Sequence, residues 1–331
     1  MKALLLHDKG QWKEMKVEDY EAPQANLGEI VVKVQAVGLN PVDYKTATGG
    51  NPNWSYPHIL GLDVAGIVTE VAEDVKHIKA GDRVVYHGDL TRKGGYSEYA
   101  VTTAHTVSII PEGISFEDAA ALPTAGYTAY QALYRKLHIA SGQSILIHGS
   151  AGGVGGFAIQ LAKRSGLSVM TTASRENHEY VKSLGADFVM DYNEVDFVED
   201  VLRMTENRGV DHVLDTVSRD NATRSLRTLA FNGQIAFIAG PPDFTVIKPF
   251  TKAISYHEVA LGAAHGGDLV VQENLATMGD ELLKLVASGE ISPMIEQSVH
   301  LKEVPHALEA LSRRHVKGKI VAVLGLIAAR K

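Results

Sequence analysis

The stretch "ILIHGSAGGVGGFAIQLAKRSG" (residues 145–166) sets five glycines within eight positions, between an apolar run and an amphipathic one. Ordering so many glycines is costly, because glycine loses more backbone freedom on folding than any other residue. A hinge and a phosphate cradle are the two readings, and the flanking sequence decides between them. "SILIHG" predicts a strand and "GFAIQLAKRS" predicts a helix stopped by Gly166. Between them, Ser150-Ala151-Gly152-Gly153-Val154-Gly155 fits the pattern G-x-G-x-x-G with Ser150 in place of the first glycine. Gly152 lets the backbone approach a pyrophosphate, and Gly155 lets the helix pack closely on the strand. A helix starting near Val154 points its free N–H groups and positive dipole end at that phosphate.

The alternation continues on both sides. "ALPTAGYTAYQALYRKL" predicts a helix behind Pro123. Strands follow at "SVMTTAS", "DFVMDY", "VDHVLDTV", "GQIAFIAG" and "ISYHEVALGAA", with helices at "ENHEYVKSLG", "FVEDVLRMTE" and "NATRSLRTLA" between them. Apolar strands alternating with amphipathic helices predict a doubly wound parallel sheet, an α/β dinucleotide-binding domain over residues 121–268. An NAD-preferring domain ends its second strand with an acid that binds the ribose 2′-hydroxyl. Here that strand ends "TTASREN", with Ala173 at the acid's place and Ser174-Arg175 beside it. Arg175 can pair with a 2′-phosphate, so the expected cofactor is NADP(H).

The first 120 residues read differently, as short β-branched strands such as "EIVVKVQAVGL", "DVAGIVTEVAEDV" and "GGYSEYAVT" with glycine turns. They predict a small, irregular β-barrel or sandwich. Helices "NLATMGDELLKLVASG" and "VPHALEALSRRH" follow the sheet, and the strand "KGKIVAVL" is expected to return to the first domain.

Composition narrows the function. With 331 residues, 45% hydrophobic and 21% charged, the chain is long enough for two ordinary globular domains. A net charge of −7 argues against a nucleic-acid partner. The apolar stretch Ala3–Leu6 is too short for a signal peptide, and Ile320–Ala329 too short to cross a bilayer. A cytoplasmic protein without a membrane partner is expected. There is no cysteine, hence no disulfide, no thiolate nucleophile and no cysteine-held zinc. Fourteen histidines leave a metal open by composition, but His257-Glu258 is followed by Leu261 where a zinc-protease motif needs its second histidine.

Taken in order, "GLNPVDYK" (38–45), "PHILGLDVAGIV" (57–68), "AGDRVV" (80–85), "GGYSEYAV" (94–101), "LPTAGYTAYQAL" (122–133), "GSAGGVGGFAIQLAK" (149–163), "LGAD" (184–187) and "KGKIVAVL" (317–324) span nearly the whole chain. They resemble the medium-chain dehydrogenase/reductase superfamily, in its zinc-free quinone oxidoreductase branch. The resemblance implies a Rossmann domain inserted in a GroES-like, β-rich catalytic domain built from residues 1–120 and 269–331. It implies NADP(H) in a cleft, held by Thr128, Ser150, Gly152, Gly153, Val154, Gly155, Ser174, Arg175, Tyr192 and Ala239. Zinc-dependent relatives place a cysteine at Asn40, a His-Glu pair at Leu62-Asp63 and a four-cysteine lobe that this chain lacks, so no metal is expected.

Without a Lewis acid only hydrogen-bond donors stabilise developing charge, so the substrate should already be electron-poor, a quinone or an α,β-unsaturated carbonyl. Candidate groups for that site are Asn40, Asp43, Tyr44, Lys45, Tyr56 and Tyr127, with Asp43 equally readable as a brace for its loop. The resemblance leaves open how "TVSRDN" after Asp215 meets the cofactor. Two other readings stand beside this one: an alcohol dehydrogenase with atypical zinc ligands such as His58 and Asp63, and a non-catalytic NADPH-binding protein, as lens crystallins of this family illustrate. "ISYHEVALGAA" as a long apolar sheet edge predicts a homodimer, in which the two-fold mate covers it.

Overall fold

The glycine-rich stretch joins the strand Ser144–Ile147 to the helix Gly153–Arg164. In the computed structural model, which describes residues 1–314 and 316–324, that strand lies in a six-stranded sheet. Its order is Phe188–Asp191, Ser168–Ala173, Ser144–Ile147, Val210–Asp215, Leu229–Phe237, Ser255–Glu258. All five pairings are parallel. The order reverses between the central strands Ser144–Ile147 and Val210–Asp215, the topological switch point of a doubly wound fold. Those strands are apolar because helices bury both faces; Ile145, Leu146, Ile147, Val213 and Leu214 are wholly inaccessible.

The chain divides into two units, Thr128–Leu261 and Met1–Tyr127 with Gly262–Lys331, against expected boundaries at 120/121 and 268/269. His315 and residues 325–331 of the expected catalytic domain lie outside the described residues. The second unit centres on the ten-residue strand Glu29–Gly38, which pairs antiparallel with Asp63–Val71, Tyr99–Thr103 and Lys319–Val323. The sheet extends through Arg83–His87 to Ser108–Ile109 on one side and to Ile295–His300 on the other. The strand in "KGKIVAVL" does return to the first domain, as expected.

Three local expectations change. "ISYHEVALGAA" is a strand only over Ser255–Glu258, and Leu261–Gly266 coils into a helical turn. Its neighbour ends at Phe237, whose carbonyl takes the Val259 N–H at 3.1 Å, so nothing remains to pair with beyond it. Helices also interrupt the β-rich region at Pro41–Gly49 and Phe116–Ala120. Their caps explain them: Asn40 with Pro41 and Asp43 forms a capping box, and the Ser115 hydroxyl accepts the Asp118 N–H. Finally, the helical run behind Pro123 is wider than α over Gln131–Lys136, where the Leu137 N–H reaches back five residues to Ala132.

Candidate functional site

In the parallel-sheet unit the glycine loop is shaped by contacts that exclude side chains. Gly149 has φ +69°, and a Cβ there would stand 2.1 Å from Thr216 Oγ1. One on Gly155 would stand 2.4 Å from the Gly149 carbonyl oxygen, so the helix reaches the strand only because residue 155 is bare. Gly152 is open by contrast, its nearest neighbour being that same carbonyl at 3.5 Å. Gly152 is also the N-cap of the helix and supplies no side chain to the first turn. The N–H groups of that turn, at Gly153, Val154 and Gly155, therefore suit an anion. A dinucleotide pyrophosphate fits this cradle.

A buried polar lattice holds the loop. The Ser150 hydroxyl donates to the Thr172 carbonyl at 2.9 Å, and the Thr216 hydroxyl to the His148 carbonyl at 2.8 Å. Ser150 thus turns its side chain inward and offers a cofactor only its backbone. His148 joins Thr172 Oγ1 at 2.8 Å to Ser225 Oγ at 2.9 Å. The Ser225 proton goes to the Asn221 carbonyl, so the hydroxyl accepts from His148 Nε2–H. Burial pushes the ring's pKa down to about 3. Asp215 binds the N–H groups of Val217 and Ser218 and the Asn221 amide, which folds "TVSRDN" back onto its own strand.

At the neighbouring strand ends, the register sets Ala173 beside Asp191. Ser174-Arg175 and Tyr192 therefore leave the sheet from the ends of neighbouring strands. Tyr192 is exposed, and so is Ala239, at the carboxyl end of the strand Leu229–Phe237. Thr128 is buried at the start of this unit. The sequence reading missed Glu194, whose Oε2 lies 3.6 Å from Arg175 Nη1. Its signal was available: it stands three residues past the end of the third strand.

The other unit gathers a closed cluster. The Asn40 amide donates to Asp63 Oδ2 at 2.8 Å and accepts from Lys319 Nζ at 2.6 Å. That ammonium also donates to the Leu39 carbonyl at 3.1 Å and lies 3.5 Å from Asp63 Oδ2. Asp63 Oδ1 accepts from the Thr124 N–H and hydroxyl. Asp43 accepts the Asn40 N–H at 2.8 Å and the Tyr96 hydroxyl at 3.0 Å. These bonds, with the capping box, make it a brace for the start of its helix. Burial, with the Asp63 charge adding to it, pushes the Asp43 carboxyl up to about 7. Burial likewise pushes the Lys319 ammonium down. Lys319 and Thr124 were absent from the sequence reading.

The tyrosines separate. Tyr127 has no exposure, and its hydroxyl packs where a Cβ on Gly279 would stand 2.4 Å away. A donor to substrate must be reachable, so Tyr127 is a core residue. Tyr44 is half-buried against Trp12, with ring centroids 5.8 Å apart. Tyr56 and Lys45 are exposed. This unit also has a small cavity walled by Tyr86, Asp89, Lys93, His265 and Gln272. Beside it, His87 Nδ1 meets His265 Nε2 at 3.1 Å.

A zinc ion does not fit the donor set at Asn40. The amide and Asp63 are engaged with an ammonium, which repels a second cation, and Leu62 is not a ligand. His58 stacks on Trp54 with centroids 4.1 Å apart and is buried. Among the described residues no group of three or more His, Cys, Asp or Glu could hold a metal.

Residues 26–112 match the family model of the alcohol dehydrogenase GroES-like domain, and residues 153–284 match that of zinc-binding dehydrogenase. The chain is 31% identical to quinone oxidoreductase of Sus scrofa over 330 residues, 98% of each protein. The solved quinone oxidoreductase of Coxiella burnetii superposes with a TM-score of 0.85 at 33% identity, covering 98% of this chain and 99% of that one. A mycobacterial protein solved in complex with NADPH gives 0.86 at 27% identity, covering 98% of this chain and all of that one. With this likeness over nearly its whole length, the chain belongs to the quinone oxidoreductase branch of the medium-chain dehydrogenase/reductase superfamily, the oxidoreductases that use a nicotinamide cofactor.

Proposed function

We propose that this oxidoreductase uses NADPH to reduce quinones or α,β-unsaturated carbonyls without a metal. The observation that carries the reading is the cluster around Asn40. Where metal-dependent relatives need an electrophile, the polar groups are closed upon a lysine ammonium. Reducing a simple ketone gains from a Lewis acid at the carbonyl oxygen, whereas a quinone or enone spreads the incoming charge over its own conjugated system. The bound cofactor would supply the hydride. The chain's own part is to seat the pyrophosphate on the Gly153–Arg164 helix and to offer Arg175 to the 2′-phosphate. The fit of a mycobacterial NADPH complex supports that choice of cofactor. The exposed aromatics Phe231, Phe250 and Tyr256 near the edge strand Ser255–Glu258 support a homodimer in the same reading.

The test is NADPH consumption against quinones and enones of graded size, after dialysis against a strong chelator. Turnover of these acceptors and none of saturated ketones is expected. Stoichiometric zinc whose removal abolishes activity would overturn the proposal and favour an alcohol dehydrogenase.

A further inference from the structure

We infer that Glu194 is a specificity-determining residue for the cofactor, weakening the preference for a 2′-phosphate by competing for Arg175. The inference rests on the proposed NADPH reading and adds a residue to it. Parallel pairing sets Ala173 beside Asp191, so Ser174-Arg175 and Tyr192–Glu194 leave adjacent strands at the same end of the sheet. Arg175 and Glu194 meet at 3.6 Å with side chains 78% and 61% exposed. The second strand ends in Ala173 rather than an acid, and the acid near the arginine comes from the loop after the third strand. Glu176 is held by the Ser174 hydroxyl at 3.2 Å, and Ser174 also accepts from the Asn177 amide at 2.9 Å.

A 2′-phosphate must therefore draw Arg175 from an existing partner, with a carboxylate left beside the incoming negative charge. A ribose 2′-hydroxyl meets no such opposition, because it is neutral and can donate to Glu194. The pair discriminates less sharply than a lone arginine would. Both side chains are solvated, so the effect is that of a surface ion pair, a few-fold in binding.

The experiment measures dissociation constants of NADPH, NADH and 2′,5′-ADP for the wild type, Glu194→Gln, Arg175→Ala and the double variant. Titration calorimetry serves, because it needs no turnover. Glu194→Gln should tighten NADPH and 2′,5′-ADP by about three- to fivefold and leave NADH within about twofold. Added salt should shrink the gain, and in the Arg175→Ala background it should fall to the smaller part that comes from the carboxylate's own repulsion of the phosphate. An unchanged NADPH-to-NADH ratio in a Glu194→Gln protein that binds NADPH would overturn the inference and spare the NADPH reading. A wild type that binds NADH but not 2′,5′-ADP would overturn the NADPH reading; the inference would then survive only if Glu194→Gln creates 2′,5′-ADP binding.

Discussion

Lys319 shows how one side chain can organise a site. Its ammonium is 3% exposed and faces Asn40, the Leu39 carbonyl and Asp63, with Asp43 beyond. Lys319→Met would leave two buried carboxyl groups without a cation, and removing one member of a buried pair typically costs about 3–5 kcal/mol. The sign of the pH dependence follows from Asp43. Its folded pKa of about 7 lies above its unfolded value, so this group's contribution is present at low pH and is lost as pH rises through neutrality. Without Lys319 that loss steepens, and the deficit of the variant should be smaller near pH 6 than near pH 8. Thermal melts of both proteins at the two pH values check this; a variant as stable as the wild type would show that the ammonium is not needed. Asn40 stood out in the sequence as a candidate, but its bond to Lys319 spans 279 residues, and nothing local in the sequence announces such a partner. Tyr127 misled for the same reason: a tyrosine in a helix looks alike whether its hydroxyl meets substrate or the bare backbone of Gly279.

At the scale of elements, the strands and helices of the parallel sheet were the most legible part, because the central strands are apolar on both faces and the helices between them are amphipathic. The glycine loop was legible because its chemistry and its packing demand the same residue. The helix Pro41–Gly49 was hidden among β-branched strands, although Asn40, Pro41 and Asp43 carry its cap in plain view. The last sheet strand was overextended, and its correction bears on assembly. Ser255–Glu258 has a neighbour only in Leu229–Phe237 and is a short free edge. Near it in sequence or on the partner strand, Phe231, Phe250 and Tyr256 are 69%, 103% and 56% exposed, and Tyr256 stacks on Phe244 at 4.0 Å. So short an edge pairs poorly, and it is the exposed aromatics around it that would be covered by a second copy. Light scattering at micromolar concentration should give twice the monomer mass, and Tyr256→Asp should shift the population toward monomer. A wild type that is monomeric there contradicts the proposed dimer.

For the whole molecule, the two units hold the two halves of the proposed chemistry: a phosphate cradle at the switch point of one sheet, and in the other a cluster closed by its own lysine. The central claim is that hydride passes from NADPH to an electron-poor carbon with no metal at the carbonyl oxygen. The most direct measurement uses chelator-treated protein, NADPH deuterated at the transferred position of C4, and an enone whose product is read by mass spectrometry and NMR. The account predicts deuterium at the β-carbon of a saturated ketone, at a rate unchanged by the chelator. Deuterium at the carbonyl carbon of an allylic alcohol, or a rate that returns only with added zinc, would contradict it.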